Sequence, residues 1–356
     1  MASEVCGPPG VGRIARLSLL LSMLLFVMTG VSNSAAGQEP ALAASRQRLV
    51  QEATDRLRRD QQPLPAFMQA YQEAAPSGEI GGLVVGASSR KVHAGFFRES
   101  IGLFFPGSEG PSIFRCSGVL IAEAAALTAA HCICNLGLGG LLVGRGPELR
   151  AFVGEEFRSG ADTHVPVRSA VLLDPEFCRR PRPGMDLALL KLDPTITRAR
   201  LKPEQPRPAR FDRADEYAPA LVAPPEVVLS SSVRALYVVG FGINNEGRAD
   251  SKNLAVVPIL SRICGSELSR AYFDCAAGRE IVLAGVAGDT CQGDSGGGAF
   301  AVAGGSYYLV GITSRGLQQR CGPGGIYTLI TPAVVNWIRK NGVEPPDMPR
   351  HARHQN

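Results

Sequence analysis

The chain has 356 residues, 45% hydrophobic and 19% charged, which excludes a mainly disordered protein and leaves room for about two domains of roughly 150 residues each. Its 41 glycines and 26 prolines imply many turns and argue against a mainly helical bundle. The formal charge of +5, from 37 basic against 32 acidic residues, is too small and too scattered for a nucleic-acid-binding face.

At the N-terminus, Arg13 and Arg16 precede the apolar run LSLLLSMLLFVMTG and then the small-residue stretch VSNSAAGQ, the charged, apolar and small-residue order of an export signal over residues 1–37. The apolar run is shorter than the roughly 20 residues a membrane span needs. Export to a secreted, periplasmic or other extracytoplasmic compartment follows, with no stable membrane insertion once the signal is removed. Cys6 leaves with the signal, so eight of the nine cysteines remain in an oxidising compartment.

Residues 41–60 put Leu42, Leu49, Val50, Ala53 and Leu57 on one stripe and predict an amphipathic helix, ended by QQPLPAF. The Gly/Ser-rich stretch near 77–91 reads as an exposed, easily cut linker. From residue 92 the pattern becomes short apolar runs divided by Gly and Pro: IGLFF, GVLIAEAAALTAAH, LRAFVG, SAVLL, DLALLKL, ALYVVGFG, LAVVPIL, GAFAV, YYLVGITS and GIYTLI. Such regular short strands predict an all-β sandwich or barrel architecture. The Pro- and Arg-rich segment Leu201–Glu226 suits a connector between two β halves. TPAVVNWIRKNG opens with Thr-Pro and closes with Gly, the punctuation of a terminal helix, and residues 343–356 form an unstructured tail.

Three motifs carry chemistry: His131 in LTAAHC, Asp186 in GMDLALLKL and Ser295 in DTCQGDSGGG. Of the five histidines, His131 alone lies in an apolar strand-to-turn context beside a cysteine, which makes it the candidate base. With TAAHC, DLALLKL and GDSGG in this order, the chain resembles the trypsin/chymotrypsin family of serine proteases over roughly residues 92–342. The resemblance implies two six-stranded antiparallel β-barrels (about 92–205 and 226–330) with a C-terminal helix and a cleft between them. It implies peptide-bond hydrolysis without a cofactor or metal, by a monomer acting on protein substrates.

The implied roles follow the chemistry of acyl transfer. A serine hydroxyl is a poor nucleophile at neutral pH, so a neutral imidazole must take its proton, and a buried carboxylate must hold the ring's tautomer. These are Ser295, His131 and Asp186. The backbone N–H groups of Gly293 and Ser295 are the implied oxyanion donors. Asp289, six residues before Ser295, would form the floor of a specificity pocket for Arg or Lys, with Ser314, Gly316 and Gly325 lining it. The implied disulfides are Cys116–Cys132, Cys264–Cys275 and Cys291–Cys321. That leaves Cys134 and Cys178, which are read as bonded to each other, a bridge outside the common family pattern.

Activation in the family frees an amine that pairs with the Asp before the nucleophile, here Asp294. The favoured cut is Lys91/Val92, 24 residues before Cys116, which makes residues 38–91 a propeptide; Ile80-Gly81-Gly82 is the other candidate. Departures from the pattern are Ser117 in place of Gly after the first Cys, Gly298 in place of Pro, and Arg315 in place of Trp, a cation that would alter the groove upstream of the cut. Glu155 and Glu156 are read as surface acids rather than a calcium loop. Two other readings use the same residues: a latent binding protein on the protease fold, and an esterase built on the G-x-S-x-G string Gly293–Gly297. The esterase would need Asp and then His after the Ser, and only His351 and His354 follow.

Overall fold

The computed structural model describes Ala44, Arg48 and residues 90–92, 96–106, 113–143, 148–154, 157, 164–193, 220–223, 225–244, 247–284, 289–303, 306–317, 321–322 and 324–346. The export signal, residues 347–356 of the tail, and Glu155 and Glu156 lie outside the described residues, while Val343, placed in that tail by the sequence reading, is buried in the core. Of the amphipathic helix expected at 41–60, only Ala44 and Arg48 are described, and both are helical.

Six strands close the first barrel: β2 (Ser100–Phe105), β3 (Ile113–Ala122), β4 (Ala125–Thr128), β7 (Arg150–Phe152), β8 (His164–Leu172) and β9 (Ala188–Leu192), in the order β2-β3-β4-β9-β8-β7. A hairpin of β5 (Cys134–Asn135) and β6 (Gly140–Leu141) projects from it. The apolar runs are continuous in β3, β4 and β9 because both faces of these strands are buried. Leu120, Ala126 and Leu190 point into the barrel with Ile101, Leu103 and Val165. The alternate residues Val119, Ile121, Leu127 and Leu189 join Val239, Phe300, Leu309 and Ile312 of the second half in a core between the barrels. The period of two thus fills one barrel and glues it to the next.

The second barrel is a ring of β11 (Ala235–Gly240), β12 (Asn253–Ser261), β13 (Glu280–Ala284), β14 (Gly298–Ala303), β15 (Ser306–Gly316) and β16 (Gly324–Leu329), closed by pairing of β12 with β13. Its interior holds Leu236, Val238, Ala255, Val257, Leu283, Val310 and Leu329. Within both rings every pairing is antiparallel, which excludes the parallel α/β sheet of the esterase reading. Two short strands add to the second ring: β10 (Leu221–Val222) runs parallel to β15, and β1 (Arg90–Lys91) pairs with Leu254 and Asn253 of β12. Arg90 and Lys91, read from sequence as the end of an exposed linker, are therefore ladder residues. Ladder pairing depends on the partner edge that β12 offers, not on local composition.

Each of the ten apolar runs read from sequence contributes a strand. β13 and two short helices, α1 (Pro225–Leu229) and α2 (Glu267–Phe273), were not anticipated. The terminal helix α3 (Pro332–Lys340) is the one expected. The Thr331 hydroxyl caps it by accepting the Val334 N–H, Pro332 opens its first turn, and Val334 and Ile338 sink into the inter-barrel core. Lys191 of β9 donates to the Asn341 carbonyl at 2.7 Å, so a barrel-one cation caps the negative end of α3.

Candidate active site

His131 lies in a single 3-10 turn, Ala130–Cys132, that follows β4. Asp186 lies two residues before β9. The His131 Nδ1 donates to Asp186 Oδ2 at 2.7 Å and the His131 backbone N–H donates to Oδ1 at 2.9 Å. The Ser314 hydroxyl from β15 adds a bond to Oδ2 at 2.7 Å, and the Thr328 hydroxyl from β16 donates to the Asp186 carbonyl at 3.2 Å. Burial pushes the Asp186 carboxyl up. The His131 bond and charge, the His131 backbone N–H and the Ser314 hydroxyl outweigh it, and the net position is below the ordinary value. Asp186 is therefore ionised at neutral pH and accepts the His131 Nδ1–H.

Ser295 arrives from the second barrel on the loop before β14. Its carbonyl accepts the Ser117 N–H of β3 at 2.8 Å. Cys132 Sγ lies 3.6 Å from that carbonyl and 3.8 Å from His131 Nε2, so serine backbone and imidazole rest against one sulfur of the Cys116–Cys132 disulfide. The loop needs its glycines. Gly296 has φ of 84°, and a side chain there would collide with the Thr128 hydroxyl and the Ser117 carbonyl. Gly293 has φ of 96° and backs onto Gly242.

Asp294 is buried beneath this loop. Its Oδ1 accepts the Gly242 N–H at 2.7 Å and its Oδ2 the Cys291 N–H at 2.8 Å. Burial, opposed by those two amides and helped by the charge of Asp289, raises its carboxyl to about 7. Val92 is elsewhere: its side chain is buried in the inter-barrel core and its N–H donates to the Lys252 carbonyl at 2.9 Å.

Asp289 is also buried. Its Oδ1 accepts the Thr290 N–H at 2.8 Å, and its Oδ2 accepts the N–H groups of Gly322 and Gly324 at 3.1 and 2.8 Å. Burial raises this carboxyl to about 6, offset in part by the amides of Gly324, Thr290 and Gly322 and by the Thr290 hydroxyl. Gly316 and Gly325 face each other directly across β15 and β16. Ser314, named from sequence as a pocket residue, donates its hydroxyl to Asp186.

Arg315 does not stand free in the groove. Its guanidinium grips the fully buried Glu280 through both terminal nitrogens, at 2.6 and 3.1 Å, and donates to the Asp274 carbonyl. Glu280 also accepts the N–H groups of Gly184 and Ala276, both at 2.7 Å. The cation foreseen in the groove is thus paired with a carboxylate. This pair was missed because its members are 35 positions apart, although Arg315 itself was conspicuous.

Four disulfides are present: Cys116–Cys132, Cys134–Cys178, Cys264–Cys275 and Cys291–Cys321. Cys134–Cys178 ties the β5–β6 hairpin to the segment before Asp186. Bonds of this kind persist in oxidising compartments. Among the described residues, the His/Cys/Asp/Glu group close enough to share a metal ion is Cys116, His131 and Cys132, and two of its three ligands are joined as a disulfide. No helix among the described residues is long and apolar enough to cross a membrane.

Two packed antiparallel barrels, with an imidazole–carboxylate pair at their junction and a glycine-bracketed serine opposite, define a serine-protease class of molecule. The trypsin family model matches residues 100–338, and the chain belongs to that family of serine proteases. It is similar to the chymotrypsin-like elastase family member 1 of Macaca fascicularis, with 27% identity over 65% of this chain and 80% of that protein. It is similar to the CLIP domain-containing serine protease B4 of Anopheles gambiae, with 29% identity over 64% of this chain and 62% of that protein. It also matches the transmembrane protease serine 9 of Rattus norvegicus, with 28% identity over 64% of this chain and 19% of that one.

Proposed function

We propose that the protein is a secreted endopeptidase that cleaves after Arg or Lys through His131, Asp186 and Ser295. The observation that carries this reading is the ionised, caged Asp186 holding Nδ1 of His131 at 2.7 Å, with Ser295 packed against the same Cys132 sulfur as Nε2. Ser295 Oγ attacks the substrate carbonyl while Nε2 takes its proton, and the oxyanion falls to the N–H groups of Gly293 and Ser295. The imidazolium then protonates the leaving amine and an acyl-enzyme remains. Water repeats the sequence and releases the acid. Each oxyanion donor is worth roughly 3 kcal/mol in a comparable site.

Specificity is assigned to Asp289 beneath the facing glycines Gly316 and Gly325. A buried carboxylate discriminates against an apolar side chain because that partner leaves it unpaired. Residues 1–37 act as the export signal, 38–91 as the propeptide and 92–342 as the catalytic unit, a monomer once released. In the intact chain the Lys91–Val92 bond sits in the β1 ladder, so cutting it requires β1 to peel from β12. The freed Val92 amine would then leave Lys252 and pair with Asp294.

The test is hydrolysis of an Arg-amide chromogenic peptide against its Phe counterpart, with Ser295→Ala as control, before and after nicking at Lys91. Cleavage of Arg lost in the variant supports triad and pocket together. Silence after nicking would mean a latent or non-catalytic protein.

A further inference from the structure

We infer that Ser117 is a positioning residue for the oxyanion donors, its buried hydroxyl bridging two backbone groups beside them. The inference rests on the assignment of Gly293 and Ser295 as those donors. Ser117 follows Cys116 on β3 and is buried. Its hydroxyl accepts the Phe241 N–H at 2.9 Å and donates to the Gly293 carbonyl at 2.8 Å. The direction is unambiguous, since an amide only donates and a carbonyl only accepts. Its own N–H donates to the Ser295 carbonyl at 2.8 Å, and its carbonyl accepts the Thr128 hydroxyl at 2.8 Å. One residue of barrel one therefore grips both donor-bearing residues of barrel two.

The grip acts where the chain is softest. Gly293 is free to rotate about both torsions, and its N–H can serve an oxyanion only while the peptides on either side are fixed. The preceding peptide is fixed by the Ile243 N–H, which donates to the Gln292 carbonyl at 2.8 Å. Because that peptide is trans, its own N–H, the one on Gly293, points the opposite way. The following peptide is fixed at its nitrogen by the Asp294 N–H, which donates to the Cys291 carbonyl at 3.0 Å, and at its oxygen by Ser117. Removing the hydroxyl strips the Gly293 carbonyl and the Phe241 N–H of their buried partner in one step. Preorganised donors owe their catalytic value to being already aimed, so a loosened Gly293 lowers transition-state binding more than substrate binding.

The experiment compares Ser117→Ala and Ser117→Gly in the full chain, in the form that hydrolyses an Arg ester, with Ser295→Ala as blank. The readouts are kcat, KM, the dissociation constant of a peptidyl-arginine aldehyde whose adduct oxygen occupies the oxyanion site, and the unfolding midpoint. In Ser117→Ala the methyl leaves too little room for a water, so kcat falls about tenfold, the value of one net hydrogen bond, with KM little changed and aldehyde affinity falling in parallel. Ser117→Gly leaves a polar slot in which a water can bridge Phe241 N–H to the Gly293 carbonyl, so kcat recovers toward wild type. A purely structural role predicts the reverse order, because glycine is the less stable of the two inside a strand. Unchanged kcat in Ser117→Ala, glycine no better than alanine, or kcat falling only in step with the unfolding midpoint overturns the inference. A wild-type chain without Ser295-dependent hydrolysis overturns the catalytic reading itself, and this one with it.

Discussion

Asp186 and Asp294 are both nearly inaccessible, at 5% and 1% exposure, yet their carboxyls are displaced in opposite directions. Asp186 meets an imidazole, a backbone N–H and a hydroxyl and stays below the ordinary value. Asp294 meets two backbone amides and the charge of Asp289 and rises to about 7. Burial alone decides neither case. The first carboxylate already has an imidazole N–H, a backbone N–H and a hydroxyl as partners in the folded chain, whereas the second, with two backbone amides, is held near neutrality.

The comparison breaks most sharply at Asp186. Asp186→Asn keeps the packing but lets the ring settle in the wrong tautomer, and kcat/KM on an Arg-amide should fall about 10⁴-fold. A loss below tenfold would mean that the caged pair is not the catalytic one.

Next in size is the pH dependence contributed by Asp294. With its folded value raised to about 7, the folded chain keeps a proton that the unfolded chain has lost above about 4. Its contribution to stability is thus fully present below about 4 and disappears as pH rises through about 7, by roughly 4 kcal/mol. In urea unfolding of the intact chain, Asp294→Asn should flatten that decline. Cleaved enzyme with a paired amine should lack it. An identical slope in wild type and variant would show that Asp294 is already charged.

A third comparison concerns the carboxylate that has its cation. Arg315→Ala leaves Glu280 buried with two amides and no counter-charge, at a cost of about 3 kcal/mol, discounted for the partial exposure of Arg315. The unfolding midpoint should drop accordingly, and a drop no larger than that of a surface substitution would sink the claim.

The smallest expected effect is at Asp289. With its carboxyl at about 6, acidification protonates it, and the Arg-over-Phe ratio of kcat/KM should fall about tenfold between pH values near 7.5 and 5. A ratio independent of pH would remove Asp289 from the pocket.

Much of the fold was legible because apolar runs of this length, cut by Gly and Pro, have few outlets other than strands that bury both faces. β13 was not read because its run, EIVLA, is short and merges with the glycine-rich GVAG that follows. α2 was signalled by the Ser266 cap, whose hydroxyl accepts the Ser269 N–H, but at seven residues it lacks the periodicity that betrays a helix. At the site, the motifs around His131, Asp186 and Ser295 were readable because each is contiguous. Ser314 was named as a pocket residue from the family resemblance, but its hydroxyl bond to Asp186, 128 positions away, was not legible in the sequence.

By itself, the sequence determined which runs become strands, which loops must be glycine, and which residue types are available for acyl transfer, since those follow from local sterics and side-chain chemistry. Tertiary structure alone decided which buried carboxylate is charged and which is held near neutrality, that Arg315 faces Glu280, and that Ser117 holds Gly293. Each of these depends on donors brought from distant strands into a low-dielectric interior, where a few ångströms set the sign of the effect.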